Sequence, residues 1–260
     1  MKRNILLVFI LIVFLFICFY FKNNGFILSS YQGFIIEGDT IIRYDNYGGN
    51  VVIPSSINGV VIKKIGAYAF SDKDIDSVVI PDSVVEVGAY AFMNNNLTSI
   101  SIPNNVVRIG EGAFMHNFIE SLSLESKVEL GNACFNNNLL DNSNSFFYNK
   151  YNSNELISYG GKLKGNIVLP NEVEVIGEKA FMDTGIVSIS LSDNISSIKS
   201  NAFKGNNLVE VYLSSNINEI SIDAFSDNDY LMEIIVDNHY NSILNGPWGA
   251  EFSEVFWTKK

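Results

Sequence analysis

Seven phenylalanines recur along this chain at almost constant intervals. Phe70, Phe92, Phe114, Phe135, Phe181, Phe203 and Phe225 are separated by 22, 22, 21, 46, 22 and 22 residues. Each closes a pair with a small residue: Ala69, Ala91, Ala113, Cys134, Ala180, Ala202 and Ala224. A fixed period of this length marks a stacked array, because one such unit cannot bury its apolar side alone. The 46-residue interval reads as two periods with a degenerate copy inside. The expected fold class is therefore a repeat solenoid, not a globular enzyme core.

The other positions of the unit explain how it would coil. The clearest copies are VVIPDSVVEVGAYAFMNNNLTS from Val78 and ISIPNNVVRIGEGAFMHNFIES from Ile100. Each begins with strand-like alternation of aliphatic residues, as in Ile100-Ser101-Ile102 or Ile189-Ser190-Leu191. Pro54, Pro81, Pro103 and Pro170 come directly after it, and a residue without an amide proton ends a ladder. A second apolar pair such as Val106 and Ile109 follows. Gly66, Gly88, Gly110, Gly131 and Gly177 then predict a tight bend with positive φ. Three residues past the Phe stand Asn95, Asn117, Asn138, Asn206 and Asn228, expected to bond neighbouring backbone in a turn that tolerates left-handed conformations. Stacking such units would align Phe on Phe and pair the strands in parallel about 4.8 Å apart.

The pattern I-P-x-x-V-x-x-I-G-x-x-A-F resembles the BspA-like class of leucine-rich repeats. The lead-in Ile41-Ile42-Arg43-Tyr44 with Gly48-Gly49-Asn50-Val51-Val52-Ile53-Pro54 is similar to the opening module of such proteins. The ending Gly246-Pro247-Trp248-Gly249-Ala250 is similar to a tail common among them. The resemblance spans about residues 33–257. It implies a right-handed leucine-rich-repeat solenoid of short parallel strands joined by turns and short helical segments. It also implies an exported bacterial surface protein engaged in adhesion or interaction, with no catalytic motif to carry over. Ser192 and Ser214 depart from it by replacing the proline.

Ahead of the repeats, Ile5 to Phe21 is an apolar or aromatic run of 17 residues, preceded by Lys2 and Arg3 and followed by Lys22. As an N-terminal hydrophobic helix it would span about 25 Å, the short end of a bilayer crossing. A signal-anchor, a cleaved signal peptide and a lipoprotein signal at Cys18 are all compatible with it. All three export the chain, and the basic flank keeps the N-terminus cytoplasmic. The organisation read from the sequence is an anchor or signal at 1–22 and a lead-in cap at 23–50. Repeats at 51–141 and 166–236 flank a degenerate copy or protruding loop at 142–165. A C-terminal cap occupies 237–260. Gly38 and Asp39 predict a hairpin turn between Phe34–Ile36 and Thr40–Arg43.

Beyond the N-terminal run, 14 basic residues face 28 acidic ones. That balance opposes nucleic-acid binding, which rests on neutralising phosphates. The membrane contact expected is through residues 5–21. Two cysteines, Cys18 and Cys134, form no disulfide framework. Asp72, Asp74 and Asp76 alternate but lack the glycine and distal glutamate of a calcium loop, and Asp227-Asn228-Asp229 is shorter still. No metal or cofactor is expected. His116 and His239 are the only histidines, and nothing around them resembles a nucleophile–base pair. A hydrolase using one of them is the enzymatic alternative, and an envelope spacer without a ligand is the structural one. The candidate site is the row of side chains pointing away from the core along the strands. Its members are Ser99, Ser101, Ser121, Ser123, Ser188, Ser190, Glu210, Tyr212, Glu233 and Ile235, preceded by Ser77 and Val79. A protein or surface glycan is the expected partner.

Overall fold

A computed structural model of the chain describes residues 28–124, 127–141, 145–162, 166–239, 243 and 246–259. They form a β-solenoid of about nine turns. The apolar run at 5–21, with its expected helix, lies outside the described residues.

Each coil supplies two short parallel ladders. The first is the one that alternation predicts. Its rungs are Gly49–Val52, Ile75–Val79, Ser99–Ser101 and Ser121–Ser123, then Ile167–Val168, Ile189–Ser190, Glu210–Leu213, Glu233–His239 and Glu254–Lys259. The second is built from two-residue strands that bear no alternation signal. Lys64–Ile65, Glu86–Val87, Arg108–Ile109 and Glu129–Leu130 pair in register in the first block. Val175–Ile176, Ser197–Ile198 and Glu219–Ile220 pair in the second. The chain turns between the ladders where the prolines sit. The Val84 N–H donates to Pro81 O at 3.0 Å and Val106 to Pro103 O at 3.0 Å. Ser192 and Ser214 make the same turn, with Ile195 and Ile217 as donors.

The phenylalanines form the axis. All seven are fully buried. Successive rings stack at 4.9 Å (Phe70–Phe92), 5.2 Å (Phe92–Phe114) and 5.5 Å (Phe114–Phe135), and at 5.2 and 5.3 Å from Phe181 through Phe203 to Phe225. Cys134 fills the alanine slot. Burial pushes its thiol well above the ordinary range, which removes the nucleophilic thiolate.

Two features of the turns correct the sequence expectations. No helix occurs among the described residues, where turns joined by short helical segments were expected. The residue two before each of the first six phenylalanines (Tyr68, Tyr90, Gly112, Ala133, Lys179, Asn201) has positive φ. So does the residue two after all seven (Asp72, Asn94, His116, Asn137, Asp183, Gly205, Asp227). Left-handed residues at that spacing interrupt every helical turn. The second correction concerns Gly66, Gly88, Gly110, Gly131 and Gly177, none of which has positive φ. Their role is close approach between coils. A Cβ on Gly110 would stand 2.5 Å from the amide nitrogen of Ala89, and one on Gly131 2.4 Å from that of Glu111. Lys199 and Ser221 keep the equivalent inter-coil bond, so the later coils accommodate a Cβ there.

The 46-residue interval contains an antiparallel hairpin, Phe146–Asn149 with Asn152–Tyr159. It repeats the hairpin at the start of the array, where Phe34–Glu37 pairs with Thr40–Tyr44 around Gly38. Phe34 faces Tyr44, and Phe146 faces Tyr159. Asp45 N–H donates to Gly33 O at 2.8 Å, and Gly160 N–H to Ser145 O at 2.9 Å. Ile41 pairs in parallel with Ile65, as Leu156 does with Ile176. The second block therefore restarts on a copy of the first block's opening hairpin. The ladder sheets are separate on either side of it, and so are the two apolar cores. Phe147 closes the first core and stacks on Phe135 at 4.7 Å, while Phe146 packs on Tyr159 in the second at 5.2 Å. Buried Asn136 and a half-buried cluster tie the blocks together. Asn136 Nδ2 donates to Lys179 O at 3.0 Å and Met182 O at 2.9 Å, and its Oδ1 accepts from Ser158 Oγ at 2.8 Å and Tyr159 N–H at 3.0 Å. Lys179 Nζ lies 2.7 Å from Glu111 Oε1, which also accepts from the Tyr90 hydroxyl.

Candidate contact face

The first ladder presents the candidate residues outward because alternate side chains of a strand point to opposite faces. Ser99, Ser101, Ser121 and Ser123 are exposed, and in register they stand Ser99 by Ser121 and Ser101 by Ser123. Ser188 is half-buried and Ser190 exposed. Glu210, Tyr212 and Glu233 are exposed and Ile235 is half-buried. Glu210 pairs with Glu233 and Tyr212 with Ile235. Ser77, toward the other end, donates to Asn50 Oδ1 at 2.6 Å. Asn166, Ser188, Ser190, Glu210 and Tyr212 line a shallow hollow of about 460 Å³ on this face.

The ladder runs one rung further than the strand pattern indicated. Glu254–Lys259 pairs in parallel with Glu233–His239, so Glu254 and Phe256 join the face beside Glu233 and Ile235. The signal was present as Glu254-Val255-Phe256-Trp257, an alternating run without the small-Phe pair that marks the earlier coils. Fully buried Trp248 stands in for that pair, and its carbonyl accepts the Phe225 N–H at 2.9 Å.

Behind the face, the asparagine column fixes the strands. Asn117 Nδ2 donates to Phe92 O at 2.9 Å and Phe114 O at 3.1 Å, and its Oδ1 accepts the Leu97 N–H at 3.1 Å. Asn95, Asn138 and Asn206 repeat the arrangement. The left-handed residue expected at these asparagines is the one before them. A chain turn made by buried side-chain amides leaves the strands little freedom to slip.

The described residues contain no cluster of three potential metal ligands. His116 is half-buried, and its Nδ1 lies 2.7 Å from Asn137 Nδ2. Burial lowers its pKa, partly offset by Asp183. The neighbours resolved around it include no activated serine or cysteine. His239 ends a ladder strand. Among the described residues no helix is long and apolar enough to cross a membrane.

A family model described as BspA type leucine rich repeat region matches residues 63–159 and 159–247, in six copies. The chain belongs to the BspA-type leucine-rich repeat family. The two matched stretches meet at Tyr159, where the second hairpin ends. Among solved structures, a leucine-rich repeat protein from Eubacterium ventriosum is 19% identical over 73% of this chain and 54% of its own, with a TM-score of 0.57. A leucine rich cell surface protein from Faecalibacterium prausnitzii is 21% identical over 82% of this chain and 55% of its own, with a TM-score of 0.41. The pneumococcal vaccine antigen PcpA is 15% identical over 82% of each chain, with a TM-score of 0.45. The chain thus spans about half the length of the first two. At such identities the likeness concerns the fold. No curated protein matches the sequence. BspA-type proteins are repeat proteins of a kind that generally mediates protein interactions and is not generally catalytic.

Proposed function

We propose that this BspA-type protein is an exported, membrane-anchored, non-catalytic module that binds a protein or surface glycan, in the manner of an adhesin, through the outward face of its first ladder. The observation that carries the proposal is that face itself. Its rungs present serine hydroxyls along the middle and carboxylate and aromatic side chains toward the C-terminal end, and a column of buried asparagines bonds the turns behind several of them. Rigid display of adaptable groups lowers the ordering cost of binding. Anchoring rests on the apolar run at 5–21 with its basic flank, and extracytoplasmic placement on the bacterial cell-surface character of the family.

Recovery of surface-labelled proteins from neighbouring cells, by native protein and by the Tyr212→Ala/Glu233→Ala variant, tests the proposal. Recovery by the native protein and loss in the variant are expected. Equal recovery by both would remove the face from the binding account. Absence of saturable binding to any surface would favour a spacer without a ligand.

A further inference from the structure

The last three rungs of the face differ from the rest in one respect. Glu210, Glu233 and Glu254 stand in one file, paired rung to rung. Adjacent parallel strands lie about 4.8 Å apart, and like charges directly opposite one another oppose pairing. The other ladder of the same molecule solves this problem internally. There Lys64, Glu86, Arg108 and Glu129 alternate in sign along one file, with Lys64 Nζ 3.2 Å and Arg108 3.8 Å from the Glu86 carboxylate. None of the ion pairs among the described side chains involves Glu210, Glu233 or Glu254.

The carboxylate file also runs between two apolar ones. Tyr212, Ile235 and Phe256 are in register on one side, with Tyr212 49% and Phe256 44% exposed. Val209 and Met232, both exposed, flank it on the other, and the Met232 N–H donates to Val209 O at 3.0 Å. A central anionic row bordered by apolar rows is complementary to a central cationic row bordered by apolar side chains. The rings of Tyr212 and Phe256 can also receive a Lys or Arg side chain over their faces. Polyphosphates and nucleic acids are repelled by the same row, and a purely apolar partner would leave three carboxylates desolvated without counter-charge.

We infer that this end of the face takes a polypeptide segment carrying Lys or Arg flanked by apolar side chains, which supplies the missing counter-charges to Glu210, Glu233 and Glu254. The inference rests on the strand face being the contact surface.

The test titrates the full chain with a fluorescein-labelled peptide alternating Lys or Arg with Val or Leu, beside a counterpart in which every basic residue is Glu. Saturable binding of the cationic peptide alone is expected, weakening with salt. The Glu210→Gln/Glu233→Gln/Glu254→Gln variant should lose affinity on the order of tenfold, and Tyr212→Ser/Phe256→Ser several-fold. The Asp72→Asn/Asp74→Asn/Asp76→Asn variant removes the same charge elsewhere and should stay within about twofold. The glutamine variant should melt no lower than the native chain, because it relieves repulsion, so its loss of binding is not unfolding. Equal losses in the aspartate control would reduce the effect to net charge and overturn the inference. Displacement of the peptide by calcium, with no dependence on Tyr212 and Phe256, would overturn it in favour of a bare cation. Capture of a surface partner through Ser99, Ser101, Ser121 and Ser123, with no binding of the cationic peptide, would also overturn it while leaving the contact face standing.

Discussion

Replacing Asn117 by Ala probes what holds adjacent coils in register. Asn117 is 4% exposed and bonds four backbone groups at once. Three of them keep another donor in the variant: Phe92 O still accepts from Asn95 Nδ2 at 3.0 Å, Phe114 O from Asn138 Nδ2 at 2.9 Å, and Met115 O from the Asn94 N–H at 3.1 Å. The fourth, the Leu97 N–H, loses the acceptor that holds it at 3.1 Å. A buried donor left unpaired costs about 1–3 kcal/mol, and thinning the shared bonds adds about 1 kcal/mol, so the expected loss is about 2–4 kcal/mol. Asn105→Ala is the control. Asn105 is exposed and bonds only Asp82 O among the contacts resolved around it, so its loss should stay below about 1 kcal/mol. Urea unfolding reads the global effect, and native-state hydrogen exchange at the Leu97 amide reads the local one. The amide should lose protection in Asn117→Ala and keep it in Asn105→Ala. A global loss below about 1 kcal/mol, or unchanged Leu97 protection, would refute the column as the source of register.

Two further outcomes follow from other slots of the repeat. Ser192 and Ser214 sit where earlier coils place proline, make the same turn, and bury hydroxyls that find no hydrogen-bond partner. Ser192→Pro and Ser214→Pro should each stabilise the second block by about 0.5–1.5 kcal/mol, by stiffening the unfolded chain and removing the orphaned hydroxyl, as a rise in melting temperature would report. Lys179→Met should cost about 1 kcal/mol near neutral pH by breaking the half-buried link to Glu111. Burial opposes the Glu111 charge, but Lys179 and Tyr90 outweigh it and lower its pKa. Burial likewise opposes the Lys179 charge, but Glu111 raises its pKa. The link is therefore in place above the ordinary Glu value of about 4.3 and below that of Lys, about 10.4. It fades as pH falls through the lowered Glu111 value. The difference between native and Lys179→Met melting temperatures should shrink at pH 3, and a constant difference would contradict the link.

The Phe period made the stacking legible because one ring per coil occupies one place in space. Alternation likewise revealed which side chains of Ser99–Ser101 or Glu210–Leu213 point outward. The second ladder escaped because a two-residue strand is too short to alternate. Gly110 was misread because a missing Cβ serves positive φ and close approach equally well, and only the neighbouring coil, with Ala89 N 2.5 Å away, distinguishes them. The internal hairpin was hidden because Phe146 and Phe147 lie off the 22-residue period, and because Tyr159, 22 residues before Phe181, puts a tyrosine in the Phe slot. They complete the aromatic stack from an antiparallel geometry whose counterpart is the opening hairpin, outside the small-Phe period. The three-carboxylate file was half visible. Glu210 and Glu233 fall in phase, but Glu254 follows a coil in which Trp248 replaces the small-Phe pair.

The central claim is that the outward side of the first ladder makes the functional contact, and site-specific photocrosslinking tests it most directly. The full chain would carry p-benzoyl-phenylalanine in place of Tyr212, and in a separate preparation in place of exposed Tyr68, which sits on the turn beside the Phe column and stacks on Tyr90 at 5.0 Å. On irradiation with neighbouring-cell surface proteins, the Tyr212 position should give a discrete crosslinked species that unlabelled native protein competes away, and the Tyr68 position none. Crosslinking through Tyr68 with none through Tyr212 would contradict the claim and move the contact to the turns.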